Sequence, residues 1–251
     1  MLRVLPTTSW ILTSNMKKKV FLIIAIVLAV ALIAGIVYYF AVIVPEQKQQ
    51  EEFQKMLDQY YADKLALYQQ ENEQYADYEV DVAFLGDSLT DGYDLAKYYP
   101  QFKTANRGIG GDTTYGLEER LQVSVYDLKP KVAVMLIGAN NMDTMMENYE
   151  SILMGLQKNL PDTKIVLLSL TSMSMDWGRK NQLAAYNNVL IRKLAEKYGF
   201  TFVDLYAPLM DITTGQLRES YTTDGGHFTH EGYVVITETL TPVLEELLTE
   251  E

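Results

Sequence analysis

A serine at the end of an apolar run, and an aspartate three residues before a histidine, are the residues in this 251-residue chain best suited to chemistry. Ser88 follows Val82-Ala83-Phe84-Leu85-Gly86-Asp87, a run whose β-branched and aromatic content suits a buried strand ending in a tight turn. A serine hydroxyl is a weak nucleophile and needs a base to remove its proton. His227 can be that base. Asp224 is placed to hold the imidazole in one tautomer and to stabilise the imidazolium. A tetrahedral oxyanion then needs aimed N–H donors, which the backbone of Ser88 and Gly111 and the side-chain amide of Asn140 can supply. Glycine at 111 also permits a close backbone approach and a positive φ.

Other chemistries fit less well. The chain has no cysteine, so disulfides, thiolate metal sites and cysteine nucleophiles are excluded. His227 and His230 are three apart, but there is no third histidine, and Asp224 is better used to orient His227; no metal site is expected. Gly108-Ile109-Gly110 starts like a dinucleotide fingerprint, but the third glycine position is Thr113. The nucleophile elbow Gly-x-Ser-x-Gly fails because position 90 is Thr90. Taken alone, Ser88 also suits a helix N-cap. Asp87 is read as holding the turn by hydrogen bonds, and His230 as a helix-start or surface residue. Tyr93, Asp91, Met173 and Trp177 are pocket candidates for substrate, with plain loop packing as the alternative for Met173 and Trp177. Asn141 and Asp143 either orient the Asn140 loop or touch substrate. Arg107 is left unassigned between surface and pocket.

These groups need elements to carry them. Strand-like runs are expected at Val80–Leu85, Phe102–Asn106, Val132–Ile137, Ile165–Leu170 and Phe200–Leu205. Helices are expected near Thr114–Leu121, Thr144–Asn159, Arg179–Tyr198 and Glu231–Leu248. Apolar strands alternating with amphipathic helices predict an α/β fold, a flavodoxin-like three-layer α/β/α sandwich around a parallel five-stranded sheet. In such a sheet ligands bind outside the carboxyl ends of the strands. Four separate loops deliver Ser88, the Asn106–Asp112 segment, Asn140 and the Asp224–His227 segment to that edge.

With these blocks in order, the chain from about Val80 to its end resembles the SGNH (GDSL-type) hydrolases. Gly86-Asp87-Ser88-Leu89 matches the first block of that family, and Asn106–Asp112 the second, with its oxyanion glycine at Gly111. Gly138-Ala139-Asn140-Asn141 matches the third and Asp224–His227 the last, followed by Gly232-Tyr233. The departure is Asn141, where an aspartate is usual. The form of the second and third blocks is similar to the platelet-activating-factor acetylhydrolase-like and lysophospholipase L1-like branch. The resemblance implies a serine esterase that works through an acyl-enzyme, with no metal or organic cofactor. An acyltransferase using the same acyl-enzyme, and a non-catalytic binding module on the same fold, are the alternatives.

The remainder of the chain sets location. Val20–Val44 is 25 residues without a charge, longer than the roughly 20 needed to span a bilayer. Lys17-Lys18-Lys19 precede it, which orients residues 1–19 to the cytoplasm and the rest outside. A cleavable signal peptide with Ala29-Val30-Ala31 as its site is the alternative, and would give a secreted protein. Residues 1–15 lie oddly before a Met16-Lys17-Lys18-Lys19 start, so translation is expected from Met16. Pro45 is expected to end the span, and 45–79 to form a helical stalk. Phe53, Leu57, Tyr60, Leu67 and Tyr75 lie on one face of that stalk, which Lys64 and Glu71 interrupt. The domain proper is 80–251. After Val44 the chain carries 17 Lys and Arg against 33 Asp and Glu, a poor balance for nucleic acid. Partners are therefore the bilayer, through 20–44, and a small-molecule, lipid or glycan ester. Acyl length, alcohol and oligomeric state are left open.

Overall fold

A computed structural model describes residues 8–249, with side-chain environments from Met16 onward. The first seven residues, and with them the start of the 1–15 stretch, lie outside the described residues. Two compact units divide the chain, Met1–Tyr60 and Tyr61–Glu251.

In the first unit, α1 (Thr8–Tyr38) is followed by a π-type turn (Tyr39–Ile43) and by the start of α2 (Val44–Asn72). Pro45 does not end the helix. It sits in the first turn of α2, where a missing N–H is tolerated, and the wide turn just before it makes room for its ring. The apolar side chains from Val20 to Phe40 are exposed all round. Such a helix has no face for a protein core and is long and apolar enough to cross a membrane, a property shared by spans and signal sequences.

The second unit opens with the last turns of α2, inside the segment read as a stalk. The helix stops at Asn72, short of residue 79, and Tyr78 has a φ of 62°. A five-stranded parallel sheet follows, built from β1 (Val82–Gly86), β2 (Thr104–Gly108), β3 (Val132–Leu136), β4 (Lys164–Leu168) and β5 (Thr201–Val203) in the order β2-β1-β3-β4-β5. The chain leaves β1 to one side and returns to its other side. β1 is therefore the switch point where doubly wound sheets bind ligands.

Alternation along each strand builds two cores. Leu85, Ala133, Met135, Ile165 and Leu167 face one side. There they meet α5 (Thr114–Glu119), α6 (Tyr149–Asn159) and α7 (Asn181–Tyr198) through Leu117, Ile152, Leu153, Leu156, Ile191 and Ala195. Val82, Phe84, Val132, Val134, Leu136, Val166 and Leu168 face the other. They pack on α9 (His230–Thr249) through Ile236, Leu240 and Leu244, and on Leu89, Leu95 and Leu209 from the short helices α3 (Ser88–Asp91), α4 (Leu95–Tyr98) and α8 (Tyr206–Leu209). Each fully buried Leu or Ile adds roughly 1.5–3 kcal/mol.

Element boundaries shift where polar turns intervene. The helix expected from Thr144 begins at Tyr149, after a 3-10 turn at Met145–Glu147, and that expected from Arg179 begins at Asn181, after a 3-10 segment at Met175–Lys180. A small hairpin, β6 (Met210–Asp211) with β7 (Gln216–Leu217), closes the list of strands among the described residues.

Candidate active site

Ser88 opens α3, immediately after β1. Asp87 caps that helix by accepting a hydrogen bond from the Leu89 N–H at 3.0 Å. Its other carboxylate oxygen is buried without a partner, and burial pushes the Asp87 carboxyl up to about 6.

The loop before α9 brings His227 to Ser88. Ser88 Oγ lies 2.9 Å from His227 Nε2, and His227 Nδ1 lies 2.7 Å from Asp224 Oδ2. With its proton on Nδ1, facing the carboxylate, the ring leaves Nε2 free to accept from the serine hydroxyl. Asp224 Oδ1 accepts the N–H groups of Gly226 at 2.9 Å and His227 at 2.8 Å. Partial burial pushes the Asp224 carboxyl up, but bonds from the His227 ring and from these two N–H groups outweigh it and hold the group down to about 2. Thr222 ties the loop, donating to the His227 carbonyl at 2.7 Å and accepting from the Gly225 N–H at 2.9 Å. The neighbouring loop joins in where Ser174 N–H donates to the Gly225 carbonyl at 2.9 Å.

Asn140 follows β3. Its amide donates to the Asp112 carbonyl at 2.8 Å, which aims the side chain and leaves its second N–H unused by that bond. Gly111, in the loop after β2, has a φ of 78°, the left-handed conformation glycine permits. Ser88, Asn140 and His227 share the lining of a cavity of about 50 Å³, walled by Leu136, Met142, Leu170 and Met173 and bordered by the part-exposed Trp177. Met173 and Trp177 thus line the same cavity as Ser88 and His227.

Other expected residues stand elsewhere. Tyr93 is buried behind the site. It is stacked on Tyr233 at 4.5 Å, and its hydroxyl is within 3.0 Å of the Tyr99 hydroxyl and 2.6 Å of Thr237 Oγ1. An aromatic residue with a satisfied hydroxyl is more stable there than at a wet mouth. Asn141 turns from the cavity to α5, accepting from the Thr114 N–H at 3.2 Å and donating to Thr114 Oγ1 at 2.9 Å. Asp91 pairs with Lys64, and His230 starts α9 with its Nδ1 against the Tyr98 hydroxyl at 2.7 Å, so the two histidines do not share a site.

One residue that sequence reasoning passed over is Arg120. It is 2 % exposed, and its guanidinium donates to Asp112 Oδ2 at 2.7 Å and, at 2.9 Å each, to Arg107 O, Ser124 Oγ and Gly86 O. It thereby links the carbonyl at the end of β1 to the residue whose own carbonyl aims Asn140. The signal was present: Arg120 and Ser124 fall on the same helical stripe as Leu117, Leu121 and Val125, and an arginine on an apolar stripe needs buried partners.

The sequence model of the GDSL-like lipase/acylhydrolase family matches residues 84–235. Among solved structures, a Streptococcus pneumoniae protein described as a platelet activating factor is 26% identical at a TM-score of 0.71, covering 79% of this chain and 99% of its own. A GDSL-like lipase from Bacteroides thetaiotaomicron is 26% identical at 0.64, covering 72% and 97%. The acetylxylan esterase Axe2 from Geobacillus stearothermophilus shares the fold at 17% identity and 0.55, covering 70% and 96%. No curated protein matches the chain.

Proposed function

The chain belongs to the GDSL-like lipase/acylhydrolase family, and we propose that it is a membrane-anchored, extracytoplasmic serine esterase acting on carboxylic esters with short acyl groups. The observation that carries this reading is the hydrogen-bonded series Ser88–His227–Asp224 at the edge of a small, largely apolar cavity.

The proposed reaction runs in two halves. Ser88 Oγ attacks the ester carbonyl as His227 Nε2 takes its proton, and Asp224 stabilises the imidazolium. The oxyanion is held by the N–H groups of Ser88 and Gly111 and by the Asn140 N–H not given to Asp112. The tetrahedral intermediate collapses, the C–O bond to the alcohol breaks, and His227 returns its proton to the leaving oxygen. Water then attacks the acyl-Ser88 ester, with His227 as base, and releases the acid. Because its carboxyl is held near 2, Asp224 stays ionised across the ordinary pH range.

Cavity size supports a short acyl group, since about 50 Å³ behind Ser88 admits a few heavy atoms. The acetylxylan esterase among the fold relatives supports including acetyl groups on glycans, and the lipase relative supports lipid esters. The apolar run Val20–Val44 and the Lys17-Lys18-Lys19 cluster just before it support anchoring with the esterase outside. Ser88→Ala should abolish turnover of a short-chain nitrophenyl ester and labelling by a fluorophosphonate. Near wild-type turnover in that variant would remove Ser88 as nucleophile. No turnover by the wild type, with no labelling, would favour a binding module.

A further inference from the structure

The last turns of α2 make a set of contacts that the esterase reading does not use. Tyr68 is 1 % exposed and donates to the Gly108 carbonyl at 2.6 Å. Arg107, fully buried, lies with its guanidinium 4.7 Å from the centre of the Tyr68 ring, pairs with Glu71, and donates to Asn72 Oδ1 at 3.1 Å. Asn72 donates in turn to the Val123 carbonyl at 2.7 Å, and Lys64 pairs with Asp91. Residues 64, 68, 71 and 72 share one helical face. Lys64 and Glu71, which interrupt the apolar face read from the sequence, are the residues that bind.

The two places these contacts end are informative. Gly108 closes β2 and begins the loop that carries Gly111. Asp91 closes the helix that Ser88 opens. The two are packed backbone to backbone, since a Cβ on Gly108 would fall 2.2 Å from the Asp91 nitrogen. Asn106 laces them further, donating to the Thr90 carbonyl at 2.7 Å while accepting from the Gly108 N–H at 2.9 Å. Movement of the Gly108 peptide is therefore movement of the Ser88 turn. A helix that only covered the β2 edge could do so with apolar side chains. This one spends a buried hydroxyl on the carbonyl that starts the oxyanion loop.

We infer that the Tyr61–Asn72 segment of the juxtamembrane helix is a positioning element of the active site, with Tyr68 and the Glu71–Arg107 pair setting the Gly108 loop against the Ser88 turn. The inference rests on the esterase reading above. Tyr68 and Glu71 are positioning residues that act through Gly108 and Arg107. Because ångström-scale misplacement of reacting groups costs up to about a hundredfold in rate, loss of one anchoring bond should cost about tenfold.

The test uses the full chain in detergent and a short-chain nitrophenyl ester, with working sites counted by fluorophosphonate titration. Tyr68→Phe removes only the hydroxyl, and Glu71→Gln keeps the shape of its side chain. Each should lower kcat per titrated site about tenfold with KM within about twofold. Gln70→Ala, on the exposed face of the same helix, should leave both unchanged. A role confined to stability would lower the thermal midpoint and the titrated fraction but leave kcat per site intact. That result in either variant that still folds overturns the inference while leaving the esterase reading standing. A wild-type chain with neither turnover nor labelling overturns both.

Discussion

Asp224 and Asp112 are both carboxylates paired with one basic side chain, and they live in opposite surroundings. Asp224 and His227 are 46% and 47% exposed, on a loop at the carboxyl edge of the sheet. The side chains of Asp112 and Arg120 are 4% and 1% exposed, between β1 and the loop after β2. Under the proposed mechanism the first pair changes charge in every turnover, so it needs contact with water and substrate and a ring free to pass a proton. The second pair takes no part in the proposed proton transfers. Burial then costs desolvation once, and the fixed forks of arginine offset it by meeting three carbonyl or hydroxyl oxygens as well as the carboxylate. The pair proposed to react is kept wet, and the pair that ties the loops together is kept dry.

That contrast can be broken from either side. His227→Ala should reduce kcat/KM for a short ester by about 10⁴-fold or more while moving the thermal midpoint by no more than about 2 °C, because the loop is tied through backbone bonds that the substitution leaves. A large fall in midpoint would make the exposed pair structural. Arg120→Met should do the reverse, destabilising the fold by about 3–5 kcal/mol in denaturant titrations because Asp112 is left charged and buried. Adding Asp112→Leu should recover part of that loss, and failure to recover any would mean that the bonds to Gly86 and Arg107 dominate.

A third carboxylate lies between the two extremes. Asp87 touches the reactive cavity yet is buried, and its folded pKa of about 6 lies above the 3.8 of a free aspartate. The folded protein therefore binds this proton more tightly than the unfolded chain does. Full stability is present below about pH 4 and is lost as pH rises through about 6, an effect of about 3 kcal/mol for roughly two units. Unfolding of Asp87→Asn across pH 4 to 8 should lack that decline, and an unchanged decline would place the titrating group elsewhere. The smallest expected effect is at Tyr93. Tyr93→Phe should cost about 1 kcal/mol of stability and leave KM within about twofold. A clearly raised KM would return Tyr93 to the substrate site.

Much of this arrangement was legible in the chain. The continuous apolar runs Val82–Leu85 and Val132–Ile137 mark strands of a sheet covered on both faces. Short polar blocks after apolar strands mark the edge where Ser88, Asn140 and His227 meet. Tyr93 misled because proximity to Ser88 in sequence says nothing about direction. After the α3 turn its ring points back between Phe84 and Tyr233. Asn141, left open between orienting the Asn140 loop and touching substrate, turns to Thr114, since one residue of 3-10 turn rotates its amide from the cavity.

The strand–helix alternation, the apolar N-terminal segment and the residue types grouped around Ser88 can all be read from the chain alone. Those are properties of local composition and spacing, and they follow from period and chemistry alone. Tertiary structure alone decided that Arg120 would tie Gly86 to Asp112, that Arg107 would lie under Tyr68, and that Lys64 and Glu71 would be contacts instead of interruptions. Each of these depends on a partner remote in sequence, and a charged side chain becomes a buried anchor only when the fold supplies the oxygens that replace its water.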